Sequence, residues 1–229
     1  MLTVHHLETS RSQRVLWLLE ELGVPYELKI YRRNPVTRLA PPELKKVHPL
    51  GKSPVVTDDG QVFAESGVII EYLSEKYGHD AQGDLAGLNP PPCTPEYWQC
   101  RYWMHYAEGS LMNWLVMKLV FVTIPKSPMP FFAKPIARAI SGKVQGQLVD
   151  PNLTTASAFI DEHLGRNRWF AGERLSMADF QMSFPVEALL SRSADAGAHP
   201  NLVAYRDRVR ARPAYQRAEE KGGPVLMAT

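Results

Sequence analysis

Three short stretches of this chain carry residue types able to do chemistry, and a fourth looks built for folding. The first is Glu8-Thr9-Ser10-Arg11-Ser12-Gln13-Arg14. Its hydroxyls precede an apolar helical pattern, so they sit where free backbone N–H groups and a helix dipole favour negative charge. Ser and Thr are also ordinary N-caps, and the fragment alone leaves capping and catalysis both open. The second is Gly51-Lys52-Ser53-Pro54, just before an apolar run. A proline can begin a strand without breaking a ladder, or it can be cis and expose the preceding backbone. The third is Glu65-Ser66 at the start of a helical pattern. With Ser66 as N-cap, the helix end would receive a carboxylate and Glu65 an ammonium group, together gripping the α-amino-acid end of a ligand. A plain cap is the rival reading. The fourth is Ser176-Met177-Ala178-Asp179, a capping-box variant with Leu175 and Phe180 at the staple positions. It is assigned to folding.

The elements that must position these residues follow from periodicity. LTVHHL reads as a strand, and Val15, Leu18, Leu19 and Leu22 repeat at i, i+3, i+4, i+7, one face of a helix that stops at Gly23 and Pro25. YELKI is a second strand and PPELKKVH a short helix. PVVT and QVF form a hairpin around Asp58-Asp59-Gly60. SGVIIEYLSEKYG is a helix ending at Gly78. The order β-α-β-α-β-β-α predicts a mixed four-stranded sheet: a crossover permits parallel pairing early, and the last hairpin must be antiparallel. Residues 79–92 are rich in proline and glycine without apolar periodicity and read as a linker. From 93 to 229 every periodic segment is helical, so the second domain is predicted to be all-α. Its first long helix is rich in aromatic residues.

Composition narrows the function classes. The 229 residues carry 26 Lys and Arg against 24 Asp and Glu, a net charge of +2. That balance argues against a nucleic-acid footprint or a polybasic membrane surface. No apolar stretch is expected to approach the roughly 20 residues of a membrane span, the best candidate being LVFVTIP between Lys118 and Lys126, and the N-terminus lacks a basic start followed by an apolar run. A cytoplasmic, globular protein is expected. Cys93 and Cys100 are read as reduced thiols: on one helix their separation would be about 10 Å, beyond the roughly 7 Å reach of a disulfide. His5 and His6 lack partners at ligand spacing, so no metal is expected.

In their order and spacing, S-R-x-x-R-V-L-W-L-L-E-E-L, A-P-P-E-L-K-K-x-H-P-L-G-K-S-P, A-E-S-G-x-I-I-E-Y-L and L-S-M-A-D resemble the cytosolic glutathione transferases. The resemblance covers nearly the whole chain and lies nearest a branch shared by fungi and bacteria. It implies a thioredoxin-like domain over 1–78 that binds glutathione as co-substrate. It also implies an all-helical domain over 93–229 that shapes the electrophile pocket, and a homodimer. By motif it makes Pro54 a cis-proline, with the Ser53 backbone pairing the cysteinyl part of glutathione. Glu65 and Ser66 would grip the γ-glutamyl end, and Lys52 the glycyl carboxylate or the γ-glutamyl region. Many classes carry a catalytic tyrosine near the end of the first strand, where this chain has His5-His6-Leu7-Glu8. Classes that use a serine place it in the following turn, which makes Ser10 the catalytic hydroxyl, with Thr9 and Ser12 as rivals.

The chemistry expected is thiol activation. A free thiol with a pKa of about 8.5 is only a few per cent thiolate at neutral pH. A donated hydroxyl and the first helix's dipole favour the anion, which attacks an electrophilic carbon or a peroxide oxygen. A glutathione-dependent peroxidase or disulfide reductase on the same site, and a non-catalytic glutathione-binding relative, are the alternative functions.

Overall fold

The computed structural model describes residues 1–192 and 198–226. Strands β1 (Thr3–Leu7), β2 (Glu27–Tyr31), β3 (Val55–Asp58) and β4 (Gln61–Ala64) form one sheet in the order β2-β1-β3-β4. The crossover through helix α1 (Gln13–Leu22) makes β1 and β2 parallel, and the two β3 pairings are antiparallel. β1 is interior to the sheet, which is why all five of its residues are buried, His5 and His6 included. α1 is buried on nearly every side, from Gln13 to Glu20. It ends where Gly23 takes the left-handed conformation (φ 64°) and donates its N–H to the Leu19 carbonyl. Helix α2 (Ser66–Gly78) follows the hairpin. The segment predicted as a short helix before Ser53 forms only a 3-10 turn, Pro42–Lys46. Pro49 disfavours helical backbone at His48 and stops the segment early, and Leu44 is its one buried anchor.

The remaining elements are helices: α3 (Pro95–Tyr106), α4 (Met112–Thr123), α5 (Ala133–Val144), α6 (Asp150–Arg166), α7 (Met177–Arg192), α8 (Pro200–Arg210) and α9 (Pro213–Gly222). π-helical turns join α3 to α4 at Ala107–Leu111 and α5 to α6 at Gln145–Val149. α7 is the axis of this half, with every residue from Met177 to Leu189 buried. Trp17 of α1 packs at a tilt against Phe180 of α7 (4.3 Å) and meets Tyr215 of α9 edge-on (5.5 Å), joining the two halves through one aromatic cluster. Arg217 and Lys221 of α9 pair with Glu20, and Arg212 pairs with Glu21. The fold is thus the predicted α/β thioredoxin-like sheet domain and an all-α part. Cys93 and Cys100 are both free thiols, and burial pushes the Cys100 thiol up to about 11.

The serine–aspartate motif departs from a reciprocal box. Asp179 accepts the Ser176 N–H (2.8 Å), the Ser176 hydroxyl (3.0 Å) and the Phe170 N–H (2.9 Å). The Asp179 N–H goes to the Ser176 carbonyl instead of its hydroxyl. A buried carboxylate is the stronger acceptor and takes the hydroxyl proton. Leu175 and Phe180 are both buried at the staple positions.

Pro95–Lys126 is one helical run. By length and composition it is apolar enough to cross a membrane, with 22% of its most apolar stretch buried. This corrects the expectation that no apolar stretch approaches that length: Lys118 divides the apolar residues in sequence, but the helix carries them on continuously from 95 to 126. Its inner face, including Trp103, Leu111 and Leu115, belongs to the core.

Candidate functional site

The turn between β1 and α1 is held from outside. Arg33 donates its backbone N–H to the Glu8 carboxylate (2.8 Å) and its guanidinium to the carbonyls of Glu8 (3.2 Å) and Thr9 (3.3 Å). Thr9 adopts φ 46°, rare for a β-branched residue. The turn delivers Ser10, 7% exposed, and Ser12, fully buried. Their hydroxyls lie 2.8 Å apart, and Ser12 Oγ is 2.7 Å from His6 Nδ1. The proton positions follow from the end of this chain. The Gly222 carbonyl can only accept, so His6 Nε2, 2.8 Å away, carries a proton. Burial lowers the His6 pKa, which leaves the ring neutral and Nδ1 an acceptor. Ser12 therefore donates to His6, and its oxygen faces Ser10. Neither serine caps α1 with its side chain. The first helical N–H groups, of Gln13, Arg14 and Val15, bond to the main-chain carbonyls of residues 10, 11 and 12.

Ser53 sits beside the end of β1. Its hydroxyl donates to the His5 carbonyl (3.0 Å) and accepts the Leu7 N–H (3.2 Å), extending contact beyond the last β1–β3 pair, His5 and Val55. The Ser53–Pro54 peptide is cis. Lys52 is exposed.

Glu65 precedes α2 with φ 69° and ψ 120° and is exposed. A non-glycine residue held there costs about 1–3 kcal/mol, a strain that concentrates at ligand sites. Ser66 is the first helical residue, not the N-cap expected from its position; Glu65 occupies that place. Its hydroxyl accepts a bond from Arg14 Nη1 (2.9 Å). The Arg14 guanidinium is fully buried and also donates to Glu108 (2.7 Å) and Gln181 (3.2 Å). Burial pushes the Arg14 pKa down to about 10, against the pull of Glu108, so it remains cationic at neutral pH. Burial alone would raise the Glu108 carboxyl. Arg14 and Arg11 outweigh that and hold it below its ordinary value.

The Arg14–Glu108–Gln181 cluster was not among the residues singled out by sequence. Arg14 stands within a recognised motif, but Glu108 and Gln181 come from distant helices, and nothing local marks them. Glu108 lies on the π-helical turn, an irregularity frequent at functional sites. Arg11 and Glu108 also form the polar end of a pocket of about 480 Å³, whose wall is Met112, Val116 and Val120 of α4. Contacts thus place Ser10, Ser53 and Ser66 around the C-terminal end of β1 and the starts of α1 and α2, with an apolar pocket opening beside Arg11. Among the described residues, no group of three His, Cys, Asp or Glu side chains is arranged to hold a metal ion. His5 faces Tyr31 and Thr57 instead.

The family model for the N-terminal domain of glutathione S-transferases matches residues 10–76, and that for their C-terminal domain matches 132–213. Together they cover more than half of the chain. The chain belongs to the glutathione S-transferase family. Its curated relatives include glutathione S-transferase 3 of Schizosaccharomyces pombe, 37% identical, covering 96% of this chain and 88% of the relative. Glutathione S-transferase 1 of Saccharomyces cerevisiae is 30% identical, covering 96% and 95%. A crystal structure of a glutathione S-transferase from Actinobacillus pleuropneumoniae superposes with a TM-score of 0.76 at 32% identity, covering 99% of this chain and 94% of that one. The protein is a glutathione transferase enzyme: it binds glutathione and uses it as co-substrate.

Proposed function

We propose that this transferase activates glutathione with Ser10. The observation that carries this reading is the contrast between the two serines. Ser10 is buried but keeps 7% of its surface exposed, while Ser12 keeps none and is engaged with His6. Without ligand, Ser10 donates to the neutral Ser12 oxygen. A thiolate is a full anion and competes for that proton, because a charge-assisted bond is roughly twice as strong. Lowering a thiol pKa by about two units takes roughly 2.7 kcal/mol, within reach of one such bond plus the α1 dipole. In this reading the Ser53 backbone meets the cysteinyl part of the peptide, and Lys52 supplies a cation for a carboxylate. Glu65 and Ser66 take the γ-glutamyl amine and carboxylate, with buried Arg14 adding positive charge behind Ser66. The electrophile occupies the pocket between Arg11 and α4, whose wall favours apolar compounds.

The turn holds hydroxyls and no cysteine, which favours attack by the peptide's own thiolate over a mixed disulfide with the protein. Assaying glutathione against aryl halides, hydroperoxides and disulfides ranks conjugation, peroxidase and reductase activities. Turnover confined to disulfides would overturn the conjugation reading.

Glu65→Ala and Ser66→Ala are each expected to weaken glutathione binding about ten- to a hundredfold, the loss of a charged hydrogen bond of about 1.5–3 kcal/mol. Isothermal titration checks this, and unchanged affinity in both variants sinks the assignment. A two-fold symmetric homodimer is expected through α2 and α3, which expose Val68, Trp98 and Tyr102. Sedimentation velocity at micromolar concentration should give twice the 25.8 kDa chain mass; a monomer alone refutes it.

A further inference from the structure

The net charge of +2 conceals a segregation along the chain. Between Glu108 and Asp150 there is no acidic residue, while Lys118, Lys126, Lys134, Arg138 and Lys143 all fall there. Removing these five leaves 21 basic residues against 24 acidic ones, a net of −3 for everything else. Of the five, Lys118 is committed to Asp150 (2.6 Å). The other four are exposed.

The same segment carries several strongly exposed large apolar side chains. Phe131 is 85% exposed, Phe132 67%, Ile136 62% and Ile140 57%. Phe132, at the N-cap of α5, is followed at spacing four by Ile136 and Ile140 on the helix, and Phe131 meets Phe132 edge-on at 5.8 Å. Lys143 is three residues beyond Ile140 on the helix surface, and Lys134 closes the turn at the phenylalanine pair, its N–H bonded to the Phe131 carbonyl (3.4 Å). α5 buries only Ser141, and its first turn has neither an acidic residue nor a side-chain cap. Its positive helix end therefore adds to the field at the phenylalanine pair.

We propose that this tip, the end of the α4–α5 hairpin, docks the enzyme on the surface of an anionic lipid bilayer, with Phe131 and Phe132 entering the interface and Lys126 and Lys134 facing the headgroups, while Arg138 and Lys143 further along α5 add to the attracting field. Exposed aromatic and aliphatic residues beside unpaired cations fit a bilayer surface, which supplies hydrocarbon and negative charge together. A second copy of the chain fits poorly. A two-fold contact of the patch with itself sets cation against cation. The contact is peripheral: the core-facing side of the helix Pro95–Lys126 stays in the protein, and the tip alone meets lipid.

The test is flotation of the full chain with vesicles of phosphatidylcholine alone and with about 30% phosphatidylserine, at low and high salt. Wild type should bind the anionic vesicles at least about tenfold better than neutral ones, with the preference fading at high salt. The double variant Phe131→Ser/Phe132→Ser should lose at least about tenfold in binding. Lys126→Glu/Lys134→Glu should lose the anionic preference. Both should keep wild-type melting temperature and glutathione-conjugating activity in solution. Equal binding to neutral and anionic vesicles overturns the proposal, as does wild-type binding by both variants. A change of sedimentation coefficient in the phenylalanine variant without vesicles also overturns it, because the patch is then a contact between copies.

Discussion

Ser10→Ala is expected to lower kcat/KM for glutathione conjugation at pH 7 about ten- to a hundredfold, the loss of a charge-assisted bond of about 1.5–3 kcal/mol. The direction with pH is set by the thiol. Without the hydroxyl its pKa rises, less thiolate is present at neutral pH, and the rising limb of the pH–rate profile moves to higher pH. Above that limb variant and wild type converge, because the thiol ionises without help. Glutathione affinity should change less, since the peptide's ends are held at Glu65, Ser66 and Lys52. The substitution has a structural cost as well. Ser10 Oγ accepts the buried Ser12 N–H (3.2 Å), and stranding that donor costs about 1–3 kcal/mol of stability. A lowered melting temperature therefore settles nothing, and the displaced profile decides. If Ser10→Ala leaves the profile in place while Ser12→Ala or Thr9→Ala displaces it, the role passes to that neighbour.

Asp179→Ala is expected to cost about 4 kcal/mol of unfolding free energy. Its carboxylate satisfies two buried backbone N–H groups, of Phe170 and Ser176, and each stranded donor costs about 1–3 kcal/mol. For a domain of this size the melting temperature should fall by roughly 10 °C or more. Urea or thermal unfolding measures this, and a loss below about 1 kcal/mol contradicts the argument. The pH dependence has a definite sign. Burial pushes the Asp179 carboxyl up to about 6 in the fold, above its ordinary value near 3.8. The stabilisation linked to its proton is fully present below about pH 3.8 and lost as pH rises through about 6. His6 acts the opposite way: burial lowers its pKa, so the unfolded chain takes up the proton more readily and stability falls as pH drops below about 6.5. Asp179→Asn should remove the first contribution and leave the second.

The elements of this protein were legible one by one because each depends on neighbours within about a dozen residues. The i, i+3, i+4 stripe of α1, the stop at Gly23 and the turn at Asp58-Asp59-Gly60 are local facts of side-chain direction and backbone freedom. The Pro42–Lys46 turn fell short of a helix for an equally local reason, Pro49 just beyond it. Ser10, Ser53, Glu65 and Ser66 could be nominated from short motifs. That Ser12 is the serine bonded to His6 could not, because His6 and the Gly222 carbonyl that fixes its tautomer lie 6 and 210 residues away. The buried Arg14 that holds Ser66 to Glu108 and Gln181 is likewise a product of α1, α2, α7 and the π-helical turn packing together. Net charge showed a nearly neutral molecule, since a sum over the chain discards position. The stretch between Glu108 and Asp150 collects five basic residues and no acidic one, and packing leaves Phe131 and Phe132 outside the core among them. Sequence determined which residues were available and which local elements they enter. Tertiary structure decided which hydroxyl is sealed, which cation is buried and which apolar face stays in water, because burial and long-range hydrogen bonds depend on parts of the chain that meet only when it folds.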